Sequence, residues 1–215
     1  MSGVVEEKSK KNNFEIKLIS KNEAKGLLKT YHYLSNISKD FRSGYNFGCF
    51  YEKELIAVAI FTVFPVAELA KGMLGLQRND QNGLFELSRL CIEPNMQKTE
   101  HNLASWFLSK CIKKLTKLTK VRVILSYADS NFHSGIVYAA SNFTYYGLTQ
   151  LKKDFFIKKP DGSFEKHRRG KVRGLEGEWR ERTRKHRFAI VFDKTLKVKW
   201  VVEKWKSKKE KNNEN

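Results

Sequence analysis

Near the start of the chain a histidine stands between tyrosines, Tyr31-His32-Tyr33, and an acid, Asp129, follows the run Ser126-Tyr127-Ala128. His133 and Tyr138 come shortly after. An imidazole or a carboxylate can take a proton from an attacking group, and a phenol can give one to a leaving group. Each residue also has a structural reading. A histidine among tyrosines can be a hydrogen-bonded core residue, an aspartate after a strand can cap the next helix, and Tyr138 can be a core aromatic. Arg89 can be an ion-pair partner of Glu86 or Glu93, and Ser105 a surface helix residue. Cys91 alternates with Leu87 and reads as packing. Cys49, Cys91 and Cys111 are odd in number and lack a CxxC, so they read as reduced core cysteines, not a disulfide frame or a zinc site.

A second group of residues suits anions. Lys166–Gly174 includes Arg168, Arg169, Lys171 and Arg173, and Arg180–Arg187 includes Arg182, Arg184, Lys185 and Arg187. Guanidinium groups make forked contacts with phosphate. Trp179 between them can stack on a base or anchor the segment. The formal charge of the 215-residue chain is +19, and residues 151–215, with 22 basic and 10 acidic side chains, carry +12 of it. Such a concentration favours polyanions through counterion release, and nucleic acid is the expected partner; a merely solvated basic loop is the alternative. The longest apolar run, Leu55–Val63, is too short to span a membrane, and Met1–Asn13 lacks the apolar stretch of a secretory signal. A soluble intracellular protein is the expectation.

These residues need a scaffold, and hydrophobicity of 40% supplies one. Polar tails are expected at 1–13 and 206–215, around one domain over 14–205 that includes the basic segment 158–187. Strands are predicted at Phe14–Ile19, Phe47–Tyr51, Leu55–Phe61, Leu84–Ile92, Val121–Tyr127, Thr144–Leu148, Asp154–Ile157, Phe188–Phe192 and Lys197–Val202. Ser20 or Asn22 caps a helix through Thr30. A longer helix over Glu100–Leu118, with Thr99 as cap, puts Ala104, Phe107, Leu108, Cys111, Ile112 and Leu115 on one stripe. A short helix covers Gly135–Ser141, and Lys158–Lys185 reads as loop. The order describes an α+β protein with a mixed central sheet flanked by helices and a basic, loop-rich C-terminal extension.

Ile136-Val137-Tyr138-Ala139-Ala140-Ser141-Asn142-Phe143 resembles the late-helix signature of the GNAT acyltransferase superfamily, and Leu87–Pro94 resembles its strand beside the pantetheine arm of coenzyme A. One segment departs from the pattern. Where that superfamily has Q/R-x-x-G-x-G/A, this chain has Thr99-Glu100-His101-Asn102-Leu103-Ala104, and only Ala104 fits. Tyr31-His32-Tyr33-Leu34, Glu86–Leu90, Asn102–Ser105, Ser126–Asp129 and His133-Ser134-Gly135 are together similar to the phage Mom family. That resemblance implies double-stranded DNA as partner and acyl-type (methylcarbamoyl) transfer to the N6 amine of adenine in phage DNA, shielding it from restriction, in the cytoplasm of the bacterial host. It implies catalytic roles for His32, Tyr33, Asp129 and Tyr138. It also implies cofactor contacts at Arg89, Leu90, Ile92, Asn102 and Ser105 to acetyl-CoA or a related acyl-CoA. An iron at His32 and Asp129 is implied as well, needing a third ligand such as His133. Two other functions stay open: acetyl-CoA-dependent transfer to a protein or small molecule, and non-catalytic nucleic-acid binding.

Overall fold

A computed structural model describes residues 13–33, 41–167 and 170–206. The expected tails lie almost wholly outside these residues, as do Arg168 and Arg169. β1 (Phe14–Leu18) leads into α1 (Lys21–Tyr31), whose start is a capping box: Ser20 Oγ accepts from the Glu23 N–H and the Glu23 carboxylate from the Ser20 N–H. β2 (Tyr45–Tyr51) and β3 (Glu54–Val63) form a hairpin. Glu52 and Lys53 at its tip have φ of 50° and 71°, the positive pair whose twist matches antiparallel strands. α2 (Ala67–Leu74) follows, a short helix the sequence reading missed.

β4 (Leu84–Ile92) occupies the predicted span and ends before Pro94. There the chain makes α3 (Pro94–Thr99), capped by Glu93 accepting from the Asn95 and Met96 N–H groups. α4 therefore runs Leu103–Leu118 with Asn102 as N-cap, not from Glu100 with Thr99 as cap, because Thr99 ends the preceding turn. Its stripe of Phe107, Leu108, Cys111, Ile112 and Leu115 is buried while its lysines face out. Burial of each larger side chain there contributes about 2 kcal/mol. β5 (Val123–Asp129), α5 (Ile136–Ala140) and β6 (Thr144–Leu148) follow.

The seven-stranded sheet has the order β1-β2-β3-β4-β5-β10-β6, β10 being Lys185–Val191. Only β4 and β5 are parallel neighbours. One face packs on α4 and α5 through Phe47, Phe61, Leu87, Ile124 and Phe188. The other packs on α1 through Val58, Ile60 and Cys91, and on α2 through Leu84, Val123 and Leu125. A bulge opposite Ile60 and Phe61 reverses the alternation of β4, so Cys91 and Leu87 lie on opposite faces, contrary to the simple period-two reading.

The basic segment is more ordered than the predicted loop. β7 (Lys153–Lys158), β8 (Phe164–Lys166) and β9 (Gly177–Glu181) make a second antiparallel sheet, inserted between β6 and β10. The strand expected at Lys197–Val202 does not form. That stretch is held by single bonds, Lys199 N–H to the Met73 carbonyl (2.8 Å) and Glu203 N–H to Tyr145 (3.1 Å), with no ladder.

Candidate active site

The site begins where the central sheet opens. β4 and β5 pair from Leu84↔Val123 to Leu87↔Ser126, yet β4 runs on to Ile92 and β5 to Asp129. Beyond Leu87 the strands part, and residues 88–92 keep only β3 as a neighbour. The opening holds a cavity of about 300 Å³, lined by His32, Tyr33, Leu90, Cys91, Ile92, Ala104, His133, Val137 and Tyr138.

His32, buried at 8% exposure, ends α1 as its C-cap, its N–H donating to the Leu28 carbonyl. Its ring stacks on Tyr33 (centroids 4.6 Å, planes 26° apart), and Tyr33 packs on Phe132 at 4.6 Å and edge-on to His133 at 5.3 Å. Burial, then the nearby Arg89 and His133, pull the His32 pKa down to about 4. The imidazole is thus neutral at ordinary pH. Burial and the charge of Asp129 push the Tyr33 phenol upward, so it keeps its proton.

Asp129 lies in that neighbourhood, but its carboxylate has structural partners. It accepts from Thr183 Oγ1 at 2.9 Å and from the Asn131 N–H at 3.1 Å. It does not cap α5, because Gly135 is the N-cap. Gly135 has φ of 81°, and a Cβ there would stand 2.3 Å from Phe188 Cε2, so only glycine lets α5 start this close to β10. Tyr138, one turn on, is buried beside Ser126 at the parting of the strands; burial raises its phenol to about 12. Arg89 donates to the Ser88 carbonyl at 2.6 Å and lies close enough to His32 and Glu86 to bias both.

Leu90, Cys91 and Ile92 form an apolar wall with one open strand edge, which suits an amide-bearing arm such as pantetheine. Ala104, in the first turn of α4, brings the unpaired amides of that helix to the same cavity, where an anion is favoured. Asn102 supplies the left-handed backbone (φ 56°) before that turn in place of a glycine. Ser105 Oγ donates to the Asn102 carbonyl at 3.2 Å, inside its own helix. The Cys91 thiol is raised by burial to about 12, which leaves it inert.

The residues do not fit the iron that the resemblance implied. Among the described residues no three His, Cys, Asp or Glu side chains converge to hold a metal, and Asp129 is engaged by Thr183 and Asn131. His32 and His133 share the cavity, but two imidazoles with a committed carboxylate make an incomplete donor set.

The expected nucleic-acid residues divide into two kinds. Arg187 stacks its guanidinium on Trp200 at 4.6 Å, Arg184 donates to the Thr149 carbonyl at 2.7 Å, and Arg182 lies 3.8 Å from Asp154. Lys171 and Arg173 lie between β8 and β9, exposed, and Lys185 lines a second cavity on the α2 face. Trp179 packs on Phe155 at 5.3 Å while 56% exposed, so it anchors the small sheet and keeps an open face.

Three residues near the site were given no site role by the sequence reading. Phe132 props Tyr33 from a turn. Tyr127 and Glu86 line a second cavity on the α2 face. A charge in register with buried Leu84 and Leu125 was the visible signal for Glu86.

A mixed sheet that parts between its two parallel strands, beside a helix N-terminus, defines the class: this is the fold of the GNAT acetyltransferases. Similar solved structures include yncA of Salmonella typhimurium, assigned as an acetyltransferase and solved with acetyl-CoA. It is 12% identical, with a TM-score of 0.50 over 85% of this chain and 96% of that one. A protein assigned as a phosphinothricin N-acetyltransferase is 11% identical, with a TM-score of 0.50 over 83% and 98%. No curated protein matches the chain significantly. The Mom protein family matches residues 13–209, and the chain belongs to that family. Among the described residues no helix is long and apolar enough to cross a membrane.

Proposed function

We propose that this protein is a DNA-modifying acyltransferase that moves an acyl-type group, the methylcarbamoyl group of the Mom resemblance, from a coenzyme A thioester to the N6 amine of adenine. The observation that carries the reading is the meeting of His32, Tyr33 and Tyr138 in one cavity whose far wall is the open edge of β4. Family membership supports the substrate, and the +12 charge of residues 151–215 supports a polyanionic partner.

Adenine N6 is a poor nucleophile because its lone pair is delocalised into the ring, so position and proton removal matter most. The thioester, when bound, supplies the activated acyl carbon. His32, kept neutral by burial and neighbouring cations, takes the proton that N6 loses. Tyr138, with its phenol near 12, stays protonated and donates a hydrogen bond to the charge that develops on sulfur. Tyr33 holds the His32 ring by stacking. Asp129 positions this corner by binding Thr183, which ties the basic extension to β5. The target base lies inside the duplex stack and is turned out to react. Lys171 and Arg173 are suited to hold the phosphates.

Mass spectrometry of nucleosides from DNA of cells expressing the protein tests this. A heavier adenosine is expected, falling about 100-fold or more in His32→Ala. Unmodified DNA alongside folded protein refutes the reading. A thermal shift with acetyl-CoA and none with DNA points instead to a protein or small-molecule acceptor.

A further inference from the structure

We propose that the second cavity, between α2 and the root of β7–β9, receives the acceptor base, and that Glu86 is the residue that reads it by hydrogen-bonding the exocyclic amine and the ring nitrogen beside it. This rests on the acyl-transfer reading above. The cavity is about 430 Å³, larger than the one at His32, and large enough for a nucleobase with its sugar. Its floor is Glu86 and Tyr127, and Val66 and Leu69 form one wall. Lys152, Arg182 and Lys185 stand around it. A cavity with one apolar wall, one carboxyl inside, Thr149, Gln150 and Thr183 at its side and cations around it suits a heterocycle carried on a polyanion. A protonated lysine acceptor would meet three cations.

Both cavities border the place where β4 and β5 part: Glu86 and Tyr127, which flank the last pair Leu87↔Ser126, line this one, and Leu90, Cys91 and Ile92, beyond that pair, line the other. An amine held by Glu86 therefore lies next to that parting. Glu86 lies on a strand face with buried Leu84, and its Cα partners are Thr62 and Leu125. Burial favours its neutral form, against the pull of Lys185, Arg89 and Arg42. When it holds a proton, the Glu86 carboxyl offers an acceptor and a donor side by side, which matches an amine next to an unprotonated ring nitrogen, as in adenine and cytosine. Guanine presents two donors there, and thymine has no amine. Glutamine carries the same acceptor and donor and cannot act as a base.

Fluorescence anisotropy with ten-residue oligo-dA and oligo-dT strands, at matched salt, tests the assignment. The wild-type protein is expected to prefer oligo-dA roughly tenfold, Glu86→Gln to keep that preference, and Glu86→Ala to lose it. Oligo-dT binding and its salt slope should be unchanged in all three. Glu86→Leu, which extends the apolar strand face, replaces the alanine variant if that one melts early. Equal binding of both strands by the wild-type protein overturns the proposal, as does a preference that survives Glu86→Ala or Glu86→Leu. Glu86→Gln behaving like the alanine variant overturns it too, since that result makes the carboxylate itself necessary. Failure of the acyl-transfer reading appears separately, as DNA without a heavier adenosine.

Discussion

Protonation of His32 should act as a stability switch in acid. Its pKa is about 4 in the folded protein against 6.5 for the free side chain. Between these values the unfolded chain binds a proton that the native state excludes, so proton uptake favours unfolding. The His32 contribution is complete above pH 6.5, declines as pH falls toward 4, and is flat below that. The slope approaches one proton, about 1.4 kcal/mol per pH unit, and the whole loss is roughly 3 kcal/mol. Urea unfolding of wild type and His32→Asn at half-unit steps from pH 4 to 7.5 isolates this residue, because other titrating groups are common to both. The wild-type curve should fall more steeply with acid by that amount, and the two curves should run parallel above pH 7. His133→Ala, which removes one cause of the depression, should move the His32 NMR titration upward. Parallel stability curves across the range, or a His32 titration midpoint near 6.5, would refute a buried neutral imidazole and with it the proton acceptor proposed for catalysis.

Two further outcomes follow from the packing. Gly135→Ala should cost about 2–4 kcal/mol in chemical denaturation, from left-handed strain together with the clash on Phe188, and should reduce adenosine modification by displacing Tyr138. Lys171→Ala and Arg173→Ala should each lower the salt slope of DNA binding by about one, measured by anisotropy across 50–200 mM salt. Arg187→Ala should instead lower the melting temperature, because its guanidinium rests on Trp200.

Several features were legible in the chain because they depend on neighbours a few residues apart. The limits of β4 follow from an apolar run ended by Glu93-Pro94. Ser20 and Glu23 mark the start of α1 with a capping box, and the stripe from Phe107 to Leu115 marks α4. What escaped has few local cues. α2 and α3 are too short for a periodic stripe to stand out. β8 and β9 are exposed on every residue, so alternation of burial, the usual strand signal, is missing. They are held by pairing with β7 and by ion pairs such as Lys166–Asp154 at 2.5 Å and Lys158–Glu176 at 2.8 Å.

The residues at the site divide in the same way. His32, Tyr33 and Tyr138 were visible as types and motifs, and the structure brings them to one cavity. Asp129 was visible too, but that Thr183 and the Asn131 amide take up its carboxylate depends on where the extension returns to β5. The bulge at Ser88-Arg89, which sends Cys91 and Leu87 to opposite faces, is set by pairing with β3, thirty residues earlier. By itself, the sequence determined charge, periodicity, caps and the chemistry of single side chains, since each is a property of one residue or one turn. Only the tertiary structure decided which side chains share a cavity, which cations are spent on Trp200 or Asp154, and that Glu86 stands at the opening. Those depend on register and burial, and both arise from strands brought together across long stretches of chain.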